Sequence, residues 1–85
     1  MLSGKKHCEI VMPLAKLKIK EKGHIDYLQT KDPAQMHKLM SIGAIPGVSI
    51  ILLQRFPSYV FKIGQAQFAV DKELAAAIYV RLNKI

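Results

Sequence analysis

At 85 residues the chain has room for one modest hydrophobic core and no second domain. Hydrophobic residues make up 51% and charged residues 22%, which excludes wholesale disorder, and the longest unbroken apolar run, residues 74–80, falls far short of the ~20 residues of a membrane-spanning helix. The net charge of +7 points to an acidic protein, nucleic acid or an anionic membrane surface as a neighbour, or simply to a solvated lysine face.

The charge is concentrated early: Lys5, Lys6, Lys16, Lys18, Lys20 and Lys22 stand against only Glu9 and Glu21. The apolar stretch near the amino terminus is too short for a signal-peptide core, so a cytoplasmic location is expected. A single cysteine, Cys8, excludes an internal disulfide and fits a reducing compartment. Residues 1–11 read as a flexible basic tail, leaving 12–85 as the folded domain. In "KLKIK", Leu17 and Ile19 alternate with Lys16, Lys18 and Lys20, the pattern of a half-buried strand with its ammonium groups in water. "KEKG" reads as a turn, and "HIDYLQ" as a weaker strand with Ile25 and Tyr27 on one face and His24, Asp26 and Leu28 on the other.

The period then changes from two to 3.6. In "DPAQMHKLMSIG" Asp32 is placed to cap the first free amides, Pro33 suits the first helical position, and Gln35 holds the third position of a capping box. Met36, Leu39 and Met40 form one apolar stripe, with His37 and Lys38 turned outward. Gly43 ends the helix in a left-handed conformation, and "IPGV" has the proline and glycine that a type II turn requires. "VSIILLQRF" is apolar on nearly both sides, as a central strand of a small curved sheet would be. "YVFKI" and "AQFAV" follow as a hairpin around Gly64 and Gln65. Asp71 caps one helical turn, "KELAAA", and the last strand, "IYVRL", turns Ile78, Val80 and Leu82 one way and Tyr79 and Arg81 the other. The expected fold is mainly β: five or six short strands in a small, partly open barrel, with one short α-helix and a second helical turn.

Two stretches carry a family resemblance. Leu39, Ile42, Gly43, Ala44, Ile45, Pro46 and Gly47, followed by Phe68, Ala69, Val70, Asp71, Glu73, Ala75, Ile78 and Val80, resemble the FeoA family of small proteins of bacterial ferrous iron transport. "MPLAKLK" looks like that family's opening strand, so the resemblance spans residues 12–81. It implies an SH3-like barrel, and as structural motif positions Leu39, Ile42, Gly43, Pro46, Gly47, Ala69, Ala75 and Ile78. The departures lie in the loops: the family's Leu-Lys-Pro-Gly reads Leu17, Lys18, Ile19, Lys20 here, its loop before the next strand is shortened to Pro57 and Ser58, and its arginine is Asp71. The resemblance further implies a non-enzymatic accessory role, with an FeoB-like permease, a membrane protein with a cytosolic G-protein domain, as partner. A similar barrel occurs in iron-dependent repressors, so the alternative is a free-standing barrel binding nucleic acid or taking part in metal-dependent transcriptional regulation.

The residues offer no catalytic constellation around His24 or His37, and "GAIPG" lacks the lysine and setting of a nucleotide loop. His7, Cys8 and Glu9 join metal-binding residue types, but three adjacent positions do not converge on one ion unaided, so no metal site or cofactor is predicted there. Tyr27, Tyr59 and Tyr79 fall on different strands and there is no Trp, so an aromatic groove for proline-rich peptides is not expected. "KLKIKEK" lacks the aromatic stacking residues of a nucleic-acid platform. The partner-contact candidates are Lys16, Lys18 and Lys20 on one side, and the adaptable thioethers of Met36 and Met40 on the other; the alternative for the methionines is packing of the helix onto the barrel.

Overall fold

A computed structural model describes the backbone of residues 8–84 and the side chains of residues 10–82. In chain order it contains β1 (Cys8–Pro13), a 3-10 turn (Leu14–Lys16), β2 (Lys22–Leu28), α1 (Pro33–Ser41), β3 (Ser49–Gln54), β4 (Tyr59–Ile63), β5 (Ala66–Val70), α2 (Lys72–Ala77) and β6 (Ile78–Lys84). The six strands form one antiparallel sheet in the order β1-β6-β2-β3-β4-β5. Ile25, Ile50, Leu52, Phe61, Ile78 and Val80 are all fully buried in one cluster, and strands that far apart in the sheet share a core only if the sheet curls on itself. The edge strands β1 and β5 do not pair with each other. Instead α2 packs against both of them and against the 3-10 turn, plugging the opening with Leu14, Ala15, Leu74, Ala75 and Ala77. This is the partly open barrel the sequence predicts.

The caps follow local chemistry. Asp32 Oδ1 accepts from the Ala34 amide at 2.9 Å, and Asp71 Oδ1 from the Leu74 amide at 2.9 Å. The capping box is modified: the Asp32 amide donates to Thr30 Oγ1, whose hydroxyl in turn donates to Gln35 Oε1 at 2.8 Å. Helix α1 closes in a Schellman motif, in which the Ala44 amide donates to the Leu39 carbonyl at 3.0 Å and the Gly43 amide to the Met40 carbonyl at 3.1 Å, with Gly43 at φ +93°. The following turn has Gly47 at φ +96° and its closing bond from the Val48 amide to the Ile45 carbonyl. It is docked on β2, where the Gly47 amide donates to the Ile25 carbonyl at 2.7 Å and the Ile25 amide to the Val48 carbonyl at 2.9 Å. The break between α1 and β3 thus serves to deliver the chain into register beside β2.

Four expectations are corrected. Residues 8–11 are not tail but the start of β1, paired with β6 from Cys8↔Lys84 onward; the alternation that marks a strand is weak in "CEIVMP", and pairing to a partner far along the chain supplies what local pattern lacks. "KLKIK" is not a strand, and "MPLAKLK" is strand only as far as Pro13: Leu14–Lys16 form the 3-10 turn, Leu17 is fully buried and Ile19 is 47% exposed. Ile25 and Tyr27 lie on opposite faces because a bulge between them leaves Asp26 without a partner residue on β6. "KEKG" does not end in a turn. Lys22 and Gly23 belong to β2, and a Cβ on Gly23 would stand 2.6 Å from Val80 Cγ1, 2.7 Å from the Arg81 carbonyl oxygen and 2.7 Å from Leu82 Cδ2.

The two kinds of glycine give separable outcomes in thermal or denaturant melts. Gly47→Ala meets no atom within 4 Å and suffers only from its positive φ, a cost of about 1–2 kcal/mol. Gly23→Ala must displace backbone as well as side chains, and should cost more than Gly47→Ala, about 2 kcal/mol or above.

Candidate functional site

The candidate partner lysines sit on the connection between β1 and β2. Lys16 ends the 3-10 turn, and Leu17 behind it is anchored in the core. The Lys18 amide donates to Glu21 Oε1 at 2.9 Å, the Lys20 amide to the Leu52 carbonyl, and the Leu52 amide to the Glu21 carbonyl at 3.2 Å. Arg55 reaches across from the end of β3, its Nη2 donating to the Ala15 carbonyl at 3.3 Å. These bonds fix residues 15–21 beside residues 52–55. One pole of the molecule therefore gathers Lys16, Lys18, Lys20 and Arg55, all exposed, with Ile19 at 47% and Phe56 at 84% exposure.

Exposed apolar side chains scattered singly are ordinary on protein surfaces. Phe56 is different in degree, because leaving a phenyl side chain in water forgoes roughly 1.5–3 kcal/mol of burial, and it follows Arg55, whose side chain reaches the Ala15 carbonyl. Sequence reasoning assigned Ile19 to the core and passed over Arg55 and Phe56. The signal available for them was "RFPS", an aromatic residue inside a short, polar, proline-bearing loop between two strands.

Lys20 is the one described non-glycine residue with positive φ, at +71°. It occupies the place where the family pattern has glycine, and a side chain there costs about 1 kcal/mol. The left-handed step turns the backbone so that the Lys20 amide and the Glu21 carbonyl both meet Leu52.

The methionines stand apart on α1. Only Leu39 of that helix is fully buried; Met36 is half-buried and Met40 is 51% exposed, so the stripe is core at its centre and surface at one margin. His7 and the side chains of Cys8 and Glu9 lie outside the described residues, and no group of three metal-ligating side chains occurs among the described ones. His24 on β2 and His37 on α1 are both exposed. Two shallow grooves lie elsewhere. One of about 390 Å³ runs between the β2–α1 connection and α2, lined by Thr30, Asp32, Gln35 and Glu73 among others; one of about 330 Å³ on the outer face of β2, β3 and β4 is lined by Lys22, Ser49, Ile51, Lys62 and Gly64. The tyrosines are not all scattered, as expected from sequence: Tyr27 and Tyr79, opposite each other on β2 and β6, stack at 4.7 Å with planes 7° apart. Beside them Arg81 Nη1 pairs with Asp26 Oδ1 at 2.9 Å.

With this geometry in hand, the FeoA domain model matches residues 12–82. The chain belongs to the FeoA family. That is a family of accessory domains of ferrous iron transport. Among solved structures, the chain is similar to an iron uptake regulatory protein, FeoA, at 29% identity and TM-score 0.75, covering 86% of this chain and all of that one. It is also similar to FeoA of Stenotrophomonas maltophilia, a prokaryotic SH3 domain protein solved with zinc, at 19% identity and TM-score 0.73, covering 81% and 88%. A manganese-dependent transcriptional repressor shares the fold at 21% identity and TM-score 0.78, with 86% of this chain spanning 42% of that one. No curated protein gives a significant match. The FeoA fold accounts for the motif positions: Leu39 and Ala44 close the Schellman motif in the core, Gly43 and Gly47 hold positive φ, Pro46 leads the turn docked on β2, and Ala75 and Ile78 are fully buried. Ile42 is half-buried against the core cluster, while Ala69 on β5 is exposed.

The pole is displayed by the fold rather than part of its support, and stability measurements separate the two. Leu17→Ala should cost about 2–5 kcal/mol, whereas Ile19→Ser and Phe56→Ser should stay within about 0.5 kcal/mol of the parent. Lys20→Gly should raise stability by about 0.5–1 kcal/mol by releasing the left-handed strain; an unchanged or lowered melting temperature for that variant contradicts the assignment.

Proposed function

We propose that this FeoA-family chain is a non-enzymatic cytosolic accessory protein of ferrous iron uptake, acting by protein–protein contact with an FeoB-like permease through its cytosolic G-protein domain. The observation that supports this reading most directly is the exposed basic pole of Lys16, Lys18, Lys20 and Arg55, held in place by backbone bonds to β3, on a domain that matches the FeoA family over 71 of 85 residues, 12–82. Iron enters as the cargo of the transport system. Charges at the rim of an interface accelerate encounter, and buried contacts slow release; in this scheme the lysines steer, and apolar side chains such as Met36 and Met40 are the candidates for setting the lifetime.

The likeness to the manganese-dependent repressor is one of fold at 21% identity, and fold alone carries no activity. The pole does hold cations, but its aromatic content is Phe56 alone, short of the repeated stacking platform that single-stranded nucleic acid uses. Nucleic-acid binding is therefore the alternative rather than the main reading.

Stopped-flow binding of the purified protein to a permease G-protein domain tests the proposal. Affinity should fall as salt rises past ~0.1 M, where the Debye length is about 10 Å, and a Lys16/Lys18/Lys20→Gln triple variant should associate several-fold more slowly at low salt. Equal association rates for parent and triple variant remove the lysines from the model, and tight binding to random-sequence DNA in place of the domain favours the alternative. The pure protein should turn over no GTP.

A further inference from the structure

Charge steering toward a permease domain uses the lysines of this pole and leaves its two exposed apolar side chains, Phe56 and Ile19, without a role. Phe56 projects at 84% exposure from the β3–β4 connection, with Ile19 at 47% on the neighbouring segment. The same two segments, held together by the Arg55–Ala15 bond and the bonds of residues 20 and 21 to Leu52, carry four exposed cations, three of which are lysines, and one carboxylate, Glu21, whose Oε1 accepts from the Lys18 amide. Neither of the two grooves described above is lined by any of these residues. The two segments thus combine exposed apolar side chains with an excess of exposed positive charge.

We propose that this pole docks on an anionic phospholipid surface, with the Phe56 ring and the Ile19 side chain entering the headgroup–acyl boundary and Lys16, Lys18, Lys20 and Arg55 lying among the lipid phosphates. A protein–protein interface keeps lysines at its rim and buries its aromatic anchors in well-packed pockets of the partner. A bilayer interface has the opposite requirement. It accepts a protruding aromatic side chain wherever it lands, and long lysine stems lie along the apolar boundary while their ammonium groups stay in water. Charge complementarity selects the anionic surface, since each Lys or Arg near it adds attraction worth about a five-fold gain in partitioning. A single ring and a few cations give reversible association. The inference goes beyond the permease reading and does not rest on it, because the ligand here is lipid alone.

The test uses the whole protein and vesicles without protein. The chain has no tryptophan, so Phe56→Trp places a unique fluorophore at that position. Its emission should shift to the blue on adding vesicles of phosphatidylcholine with about a third phosphatidylglycerol, and should not shift with phosphatidylcholine alone. In co-sedimentation with the mixed vesicles, Phe56→Ser should lower partitioning about ten-fold, each of Lys16→Gln, Lys18→Gln and Lys20→Gln about five-fold, and Ile45→Ser, an exposed apolar residue of the α1–β3 turn, should leave it unchanged. Raising salt should release the protein. No sedimentation with anionic vesicles at low salt overturns the proposal. So does sedimentation without a blue shift, or equal loss in Phe56→Ser and Ile45→Ser. If the Phe56 and lysine variants lose binding to the permease domain while the parent ignores vesicles, the pole is a protein-docking surface and the lipid assignment is wrong.

Discussion

Strand β6 comes last in the chain and sits second in the sheet, and the contact that admits it there is the close approach of its backbone to Gly23. With Val80 Cγ1, the Arg81 carbonyl oxygen and Leu82 Cδ2 all within 2.7 Å of where a Cβ would stand, only glycine allows β2 and β6 to lie as they do. Everything on the amino-terminal side depends on that pairing. β1 is attached to the sheet through β6 alone, and Ile78, Val80 and Leu82, the inner row of β6, form much of the wall against which Ile25 and the buried 3-10 turn pack. Because the last strand joins the first two, the barrel closes only when both chain ends are in place. This non-local pairing costs loop entropy before it yields burial.

The same closure explains how the pole is displayed. The 3-10 turn drops Leu14, Ala15 and Leu17 into the core, so Lys16, Lys18 and Ile19 between and beyond them have no inward position left. The Arg55 bond to Ala15 and the pairing of residues 20 and 21 with Leu52 then hold that connection against the β3–β4 side of the barrel. A loop with these restraints presents its side chains at defined places, and ordering it on binding costs less entropy than ordering a free loop. Lys20 in a left-handed conformation is the cost of that arrangement, kept at a position where glycine would be easier.

The FeoA match spans residues 12–82 and the likeness in fold to a manganese-dependent repressor 86% of the chain, stretches that take in the Schellman closure at Gly43, the docked turn at Gly47 and the plug of α2 in this chain. These features are indifferent to what the surface binds. The connections are where this chain departs from the family pattern, with lysine for glycine at position 20 and a short loop carrying Phe56 between β3 and β4. Loops tolerate such changes because the packed layer beneath them does not move.

Wherever the physics is local, the sequence alone determined the outcome. The caps at Asp32 and Asp71, the stops at Gly43 and Gly47, the hairpin at Gly64 and the inward row of β6 are each legible because a few adjacent residues settle their own backbone and periodicity. What the sequence misjudged depends on partners distant in the chain. "KLKIK" alternates like a strand, but Leu17 and Ile19 part company because the barrel opening needs a plug there and the neighbouring sheet edge is already taken. "KEKG" looks like a turn because glycine has no side chain, and the same absence is what the tertiary structure uses to bring Val80 and Leu82 close. One inserted residue at Asp26 sent Tyr27 to the outer face to stack on Tyr79, a change no period can reveal since a bulge is fixed by the partner strand. The gathering of Lys16, Lys18, Lys20, Arg55 and Phe56 at one pole was decided only by tertiary structure, because residues forty positions apart become neighbours through pairing that a linear pattern does not encode.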